Sequence, residues 1–231
     1  MPGSWSKGSP LALPIVTSPL DAAGEIAIRS LIEGAPLASS LAAAYKSAGY
    51  KLALVGGPVR DAILGRLGND LDFTTDALPL ESKKILKIWG ENIWDTGIEF
   101  GTVAAKRGDT TVEVTTYRSD KYDPESRKPE VEFGDNIAGD LSRRDFTVNC
   151  MALELTTAVP EFIDPFNGLA DLAKQILRTP VTPEQSFSDD PLRMMRAARF
   201  ASQLNFEIEA STLAAMKDMA SRISIVSAER V

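Results

Sequence analysis

The chain has 231 residues and a formal net charge of −7, and its contents of 44% hydrophobic and 25% charged residues are ordinary for a globular protein. It contains no histidine, which excludes histidine-based zinc sites, Ser-His-Asp triads and histidine general bases, and its single cysteine, Cys150, excludes an internal disulfide framework. Since no apolar run reaches membrane-spanning length and the N-terminus lacks the features of a signal peptide, we expect a cytoplasmic protein with no membrane partner.

Composition and periodicity divide the chain into three parts. Residues 1–19 are rich in glycine, serine and proline and predict a disordered leader. Residues 20–164 begin with packing helices and then mix strand and helix patterns, which predicts a head domain built around a sheet. Residues 165–231 have helical patterns and no terminating cap, which predicts a truncated helical neck.

The most informative stretch begins with the apolar run Leu52–Val55, which predicts a short buried strand ending at Gly56-Gly57. A short helix and a second strand that begins at Asp70 follow. Residues two apart on a strand point to the same face, so the carboxylates of Asp70 and Asp72 should lie side by side while the alternate residues enter a core.

This arrangement of carboxylates and glycines suits phosphate chemistry. Two adjacent carboxylates repel each other, and Mg²⁺, which favours one or two carboxylates plus substrate phosphates, relieves that repulsion. The backbone N–H groups of Gly56-Gly57 suit a triphosphate, and Arg60, one helical turn on, is placed to hold a phosphate oxygen. The combination predicts nucleotidyl transfer. Either motif alone is more often an ordinary turn or a solvated strand end, and their ordered combination within one unit is far rarer.

Three further strands are predicted after a helix at 81–89, namely 92–95, 102–106 and 111–116. Glu113 lies on the face opposite the alternating valines of the last of these strands. Residues 117–140 are polar and contain two prolines, which predicts an exposed mobile loop. A charged helix is then predicted to begin at Asp140.

A helix rich in arginine is predicted from Asp190 to about residue 204, with Asp189 or Asp190 as its cap and Pro191 in its first turn. Asp190 is followed at steps of three by arginines, and this spacing produces a slanting ridge. A solvated charged ridge is the plain alternative. The arginines of the ridge are Arg193, Arg196 and Arg199.

The first two members of this ridge combine an acceptor with a donor. Asp190 accepts and Arg193 donates, which complements cytosine (N4 amino group beside N3) and adenine (N6 amino group beside N1). Guanine and uracil present the opposite polarity, and each buried group left unpaired costs on the order of 1 to 3 kcal/mol. We therefore predict that C and A are accepted and that G and U are rejected.

Four motifs occur in an order that resembles the class II tRNA nucleotidyltransferase and bacterial poly(A) polymerase family, within the polymerase β superfamily. They are GGPVRD…GRLGNDLDFTT, RRDFTVN from Arg143 to Asn149, DPFNG from Asp164 to Gly168, and DDPLR from Asp189 to Arg193. The resemblance implies an α+β fold, in which a small mixed or antiparallel sheet packed with helices forms the head and an all-α neck follows.

The resemblance also implies roles for particular residues. Asp70 and Asp72 would bind the metal, and Glu113 becomes a candidate third acid, although a solvent-facing glutamate is equally expected from its strand. Arg144 is assigned to the nucleotide. Asp190 and Arg193 would act as an amino-acid template for the incoming base, while Arg196 and Arg199 would hold phosphate. Arg143 would then be structural or would face RNA.

The resulting functional prediction is Mg²⁺-dependent addition of CMP and AMP to the 3′ end of tRNA, with ATP, CTP and the tRNA 3′ end as partners. Poly(A) polymerase or A-adding activity is one alternative, because adenine satisfies the base-reading pair in either case. A catalytically incompetent nucleotide-binding fragment is another, since the negative net charge predicts weak RNA binding by this chain alone.

Overall fold

The structure is a computed structural model that describes residues 36–121, 130–134 and 136–226. The leader predicted at residues 1–19 lies outside the described residues, as does the first part of the predicted helical region before Pro36. Within the described part of the chain, no helix combines the length and the apolar character that a membrane span needs.

Helices in the described residues are short, and several begin with proline at their first or second position. Their bounds are Pro36–Ser47 (α1), Gly57–Ile63 (α2), Pro79–Trp89 (α3), Ile137–Ser142 (α4), Gly168–Lys174 (α5), Pro183–Asp189 (α6), Leu192–Leu204 (α7) and Ala210–Asp218 (α8). Short 3₁₀ turns are formed by Ile98–Phe100, Thr147–Asn149 and Ala220–Ile225.

A seven-stranded sheet forms the centre of the head, with the strand order β3-β4-β5-β2-β1-β8-β9. Only the pair β2 and β5 is parallel. Its strands are Leu52–Val55 (β1), Asp70–Thr75 (β2), Asn92–Trp94 (β3), Thr102–Arg107 (β4), Thr110–Thr116 (β5), Ala152–Glu154 (β8) and Glu161–Ile163 (β9). The mixed, mostly antiparallel sheet with helices confirms the predicted α+β class.

The two faces of this sheet are covered differently. One face carries the main apolar core, in which Leu54, Phe73 and Val114 pack with residues of α1 and α3. On the other face, α4 packs through Ile137 and Leu141 against residues of β1, β8 and β9. That second apolar cluster contains no residue of β2 or β5, the strands that carry Asp70, Asp72 and Glu113, so it does not cover the carboxylates on this side of the sheet.

Two local predictions around α4 were wrong. The helix does not begin at Asp140 but ends at Ser142, because the side chain of Asn136 accepts a hydrogen bond from the N–H of Gly139 and so caps an earlier start. Residues 117–140 are also not simply a loop. Strands Arg118–Lys121 (β6) and Glu130–Phe133 (β7) form an antiparallel pair, and residues 122–129 between them lie outside the described residues.

The segment after the sheet is mainly helical. It departs from the predicted all-α neck in one place, where Ile176–Leu177 (β10) and Glu207–Ile208 (β11) form a two-residue parallel pair. Asp164 starts this segment, since its carboxylate accepts the N–H groups of Gly168 and Leu169 and so holds the start of α5. The last strand of the sheet ends at Ile163. We keep the division of the chain into a head and a neck after residue 164 as a proposal.

The cap predicted for the arginine helix was also wrong. Asp189 is the last residue of α6, and the N-cap position of α7 is held by Pro191. Asp190 still contributes to this helix start, because its Oδ1 accepts the N–H of Leu192 at 3.1 Å. The start of α7 is therefore formed by Asp190 and Pro191 together, directly after the end of α6.

Candidate active site

Strand β2 presents two carboxylates on the open face of the sheet. Asp70 and Asp72 are exposed, whereas Leu71 and Phe73 between and after them are buried, which confirms the alternation predicted from the sequence. Glu113 lies directly opposite Asp72 in the parallel register of β2 and β5. The structure thus brings all three predicted acids to one face of neighbouring strands.

Asp72 is both desolvated by the protein around it and close to other charged groups. Part of Asp72 is accessible to solvent, but the protein surrounds its carboxyl group. The resulting desolvation is the main reason why the pKa of Asp72 is raised above its ordinary value. Arg144 opposes the rise, while the charges of Glu113 and Asp70 add to it. A site in which ionised carboxylates repel one another gains from a bound cation.

The donor set fits a hard divalent ion that also takes ligands from its substrate. Mg²⁺ usually binds through one or two carboxylates together with waters and phosphate oxygens, which is what Asp70 and Asp72 offer. Among the described residues, no group of three or more acidic or cysteine side chains converges closely enough to hold an ion by itself. Asp70 and Asp72 therefore suit a cation that a phosphate-bearing ligand also binds.

Gly56 forms the turn between β1 and α2 and requires a glycine there. Its φ of +74° is a conformation that residues with a side chain rarely adopt, and a Cβ added at this position would lie 2.8 Å from Nη1 of Arg144. The turn and Arg144 are therefore in close contact. A side chain at Gly56 would push the guanidinium away from its position beside the turn.

Arg60 is almost fully buried, at 5% exposure. Its Nε and Nη2 donate to the two carboxylate oxygens of the adjacent Asp61, and its Nη1 donates to Oδ1 of Asn149 at 2.6 Å. These bonds engage all three nitrogens of the guanidinium. Arg60 lies at the predicted site, but it is held there as part of a buried network.

Asp140 anchors both arginines of the RRD motif. Its fully buried carboxylate accepts from Nε and Nη2 of Arg143 on one oxygen and from Nη2 of Arg144 on the other. Burial opposes ionisation, but the two guanidiniums outweigh it and hold the pKa of Asp140 below its ordinary value. Arg144 keeps one buried donor, Nε, for which the described residues offer no acceptor.

Asp145 is a site residue that sequence reasoning missed. Its Oδ2 accepts from Nε and Nη2 of Arg196 at 2.8 and 2.6 Å, and its Oδ1 accepts from the N–H of Phe146 and from Nδ2 of Asn149. Because Asn149 also accepts from Arg60, one chain of bonds connects α7, the turn after α4, and α2. Both residues fall inside the RRDFTVN motif, which was the available signal.

Arg193, predicted to read the base, is also buried at 5% exposure. Its Nη1 donates to the hydroxyl and the carbonyl of Ser186, and its Nη2 donates to the carbonyl of Arg143 at 2.5 Å. These bonds connect α7 to α6 and to the end of α4. Asp190 is half-buried and precedes α7, where its carboxylate accepts the N–H of Leu192.

Phe200 lies among three guanidiniums, a second feature that the sequence did not reveal. The guanidinium carbons of Arg60, Arg196 and Arg199 lie 5.4, 5.3 and 5.1 Å from its ring centroid. Contacts of this length over an aromatic face stabilise a cation. Arg199 is exposed, so the ridge predicted on α7 divides into a buried part and an exposed end.

A cavity of about 410 Å³ joins these groups. It brings together eight of the predicted site residues with four that were not predicted. The predicted ones are Gly56, Gly57, Arg60, Asp72, Arg144, Asp190, Arg193 and Arg196, and the others are Asp145, Asn149, Leu192 and Phe200. Asp70, Glu113 and Arg199 are absent from its lining and lie outside it.

A mixed sheet with paired carboxylates on an open face, a glycine turn and an arginine-lined cavity defines a nucleotidyltransferase head. Comparison with known proteins agrees with this class. The family described as "Poly A polymerase head domain" matches residues 52–178, and the chain belongs to that family. A second model, described as "Probable RNA and SrmB- binding site of polymerase A", matches residues 205–231.

Individual relatives are similar over most of this chain. The chain is 44% identical over 184 residues to the CCA-adding enzyme of Enterococcus faecalis, a match that covers 79% of this chain and 44% of that protein. It is 45% identical over 186 residues to the CCA-adding enzyme of Levilactobacillus brevis, covering 80% and 45%. The chain thus spans less than half the length of these curated relatives.

Solved structures give the same result. The Bacillus stearothermophilus CCA-adding enzyme in complex with CTP superimposes with a TM-score of 0.73 at 35% identity, covering 85% of this chain and 46% of that one. A tRNA nucleotidyltransferase complexed with a primer tRNA and an incoming ATP analog superimposes with a TM-score of 0.63 at 33% identity, covering 79% and 50%.

Proposed function

We propose that this chain adds CMP and AMP to the 3′ end of tRNA, without a template, in the cytoplasm. The observation that carries this proposal is the cavity in which Asp72, the Gly56-Gly57 turn and two arginines of α7, Arg193 and Arg196, meet. The similarity to CCA-adding enzymes supports the choice of product. The chain spans less than half the length of those relatives. Its activity, its nucleotide substrates and its tRNA partner are therefore proposals.

Nucleotidyltransferases of this family depend on a metal ion, and we propose Mg²⁺ held by Asp70 and Asp72. When bound, the ion would neutralise charge on the triphosphate and lower the pKa of the attacking 3′ hydroxyl. The reaction is in-line attack of that hydroxyl on the α-phosphorus, with pyrophosphate as the leaving group. Glu113 is the proposed third acid of this face, opposite Asp72 in the register.

The remaining roles fall to the basic groups around the cavity. Arg144 donates its unpartnered Nε to a phosphate oxygen. The N–H of Gly56 already donates to the carbonyl of Met151, so the N–H of Gly57 is the backbone donor proposed for the triphosphate, with no Cβ to obstruct it. Arg60 and Arg196, held in place by Asp61 and Asp145, line the cavity as the proposed guanidinium contacts of the phosphates. Arg199, exposed at the end of the ridge, is the proposed phosphate contact outside the cavity.

Selection of C and A over G and U is proposed to rest on Asp190 and Arg193. Burial and the bonds of Arg193 to Ser186 and to the carbonyl of Arg143 fix the direction in which its remaining donors point. A fixed donor discriminates better than a mobile one, because it cannot turn to suit the wrong base. Asp190→Ala or Arg193→Ala should therefore relax discrimination against GTP and UTP, and full retention of discrimination would contradict this part.

The experiment that tests the function is extension of a tRNA lacking its terminal CCA by the purified chain with Mg²⁺. Each nucleoside triphosphate is offered alone, followed by CTP together with ATP. We expect C and A to be added and synthesis then to stop. Long A tracts on any RNA would instead identify a poly(A) polymerase. Failure to extend any RNA, with CTP and ATP still raising the melting temperature, would identify a nucleotide-binding fragment.

A further inference from the structure

The strand register places two rows of residues across the open face of the sheet. The first row runs from the edge strand to the carboxylates as Trp94, Ala104, Glu113 and Asp72, each directly opposite the next. Residues directly opposite one another on neighbouring strands point to the same side of a sheet. Trp94 therefore shares a face with the proposed metal-binding carboxylates, about 14 Å away across three strand spacings.

The second row lies beside the first and carries a positive charge. It consists of Asn92, Lys106, Thr111 and Asp70, again directly opposite one another. Lys106 makes no salt bridge with any residue in the part of the chain that the structure describes. Its ammonium group is thus available to an anion that crosses the face towards Asp70.

Trp94 is 47% exposed, although it is among the largest apolar side chains in the protein. Single exposed apolar residues are common and need no explanation by themselves. Here, however, the neighbour between Trp94 and Glu113 is Ala104, whose methyl group leaves the path to the carboxylates unobstructed. The adjacent acid, Asp95, is paired with Lys83 at 2.5 Å, which reduces the negative charge beside the indole.

We propose that Trp94 and Lys106 form a binding subsite for the single-stranded 3′ end of the acceptor RNA. The indole stacks on a base a few nucleotides before the reacting hydroxyl, and the ammonium group contacts the backbone phosphate. This inference rests on the proposed function, since it concerns the strand whose 3′ end must reach Asp70 and Asp72. It assigns the open face of β3–β5 to the acceptor, while the arginine-lined cavity takes the triphosphate.

The occupant follows from the chemistry of the face. A stacking surface beside an unpaired cation is what single-stranded nucleic acid uses, since every base offers a π-face and every residue a phosphate. A protein partner would instead require a wider apolar patch, and the neighbours of Trp94 on this face are alanine, threonine, asparagine and charged side chains. The face also continues without interruption to the carboxylates, where the RNA must end.

The kinetic test compares Trp94→Ala, Trp94→Phe and Lys106→Gln with the unaltered chain in nucleotide addition to a tRNA lacking its last nucleotides. We expect Trp94→Ala to raise KM for the RNA about tenfold, with KM for CTP and kcat little changed. Trp94→Phe should restore most of the affinity, because a phenyl ring still stacks. Lys106→Gln should weaken RNA binding and reduce its salt dependence.

Ile88→Ala supplies the matched control. Ile88 is another apolar side chain at the surface, 89% exposed on α3, and it lies away from the rows described above. Its removal should leave KM for the RNA unchanged. Because Trp94 is exposed as well, its variants should keep the melting temperature of the unaltered chain, so that a change in KM reports on binding.

A second readout does not depend on turnover. Of the three tryptophans, Trp89 is buried and Trp94 is exposed, so a short single-stranded RNA that stacks on Trp94 should quench emission, and Trp94→Phe should lose that quenching. If the unaltered chain adds nucleotides while Trp94→Ala leaves KM for the RNA unchanged, the subsite is wrong and the proposed function stands. If no nucleotide is added but quenching is lost in Trp94→Phe, the subsite stands and the proposed function fails.

Discussion

The protein holds its charged side chains in two contrasting ways. On the open face of the sheet, Asp70, Asp72 and Glu113 make no side-chain hydrogen bond or salt bridge to other described residues. Around the cavity, by contrast, Asp140 and Asp145 are buried and each is bonded to arginine side chains. The open face of the sheet therefore presents unpaired carboxylates, whereas the carboxylates around the cavity form salt bridges within the protein.

The two groups of carboxylates therefore have different roles, one in ligand binding and catalysis and the other in holding the fold. Unpaired, crowded carboxylates are costly unless a ligand neutralises them, so their value lies in binding and chemistry. Buried charges with partners fix the positions of helices and of the groups they carry, and breaking one pair leaves its partner uncompensated. We therefore expect substitutions on the open face to lower activity and leave stability intact, and substitutions in the network to lower both.

The largest expected effect is on activity, from Asp70→Asn and Asp72→Asn. Loss of either carboxylate removes a proposed ligand of the metal, and kcat for nucleotide addition should fall about a thousandfold. Since the pKa of Asp72 is raised, its ionised form is disfavoured by folding, and at neutral pH a neutral asparagine should leave the melting temperature equal or higher.

Asp109→Asn is the control for these variants. Asp109 is exposed in the turn between β4 and β5, outside the cavity lining, and carries the same charge. It should change neither kcat nor the melting temperature. A clear loss of stability in Asp72→Asn would contradict the contrast between the two regions, because it would show that this carboxylate supports the fold.

The same contrast explains what could be predicted from the sequence. The strand β2 and the shared face of Asp70 and Asp72 follow from a period of two within six residues, which local sequence contains. The partnership of Arg196 with Asp145 spans 51 positions, and that of Arg60 with Asn149 spans 89. No periodicity within one element encodes such contacts, so the network had to be found in the folded chain.

The second prediction concerns the support of the network. A Cβ at Gly168 would lie 2.2 Å from the carbonyl oxygen of Thr147, in the turn between Asp145 and Asn149. Since that neighbour is backbone, it cannot swing aside, and Gly168→Ala should cost about 3 kcal/mol of unfolding free energy or more. Urea denaturation measures the loss.

Gly68→Ala is the matched substitution for Gly168→Ala. Gly68 has open space around its Cβ position and no positive φ, so the added methyl meets nothing. Its unfolding free energy should stay within about 0.5 kcal/mol of that of the unaltered chain. Equal stability of the two variants would show that the turn at Thr147 yields easily and does not hold the network.

The third prediction is a double-mutant cycle on Asp145→Asn and Arg196→Gln. Asp145→Asn alone should cost about 2 kcal/mol of unfolding free energy, because it disturbs a buried acceptor of three partners. Arg196 is partly exposed, so the coupling between the two residues should be smaller, about 1 kcal/mol. Both single variants should also lower kcat. A coupling near zero would mean that the pair does not join α7 to the rest of the site.

The smallest expected effect tests a paired carboxylate whose partners are all local. Glu209 caps α8, and hydrogen bonds from the hydroxyl of Ser211 and the N–H of Thr212 lower its pKa to about 2 from an ordinary 4.5. Because the pKa is lowered by folding, this contribution to stability is fully present above pH 4.5 and is lost as pH falls towards 2. Glu209→Gln should therefore cost about 0.5 to 1 kcal/mol at pH 6.5 and progressively less at pH 4 and pH 3, measured by urea denaturation. A difference that stays constant over this range would show that Glu209 acts through its shape and not through its charge, unlike the buried carboxylates of the network.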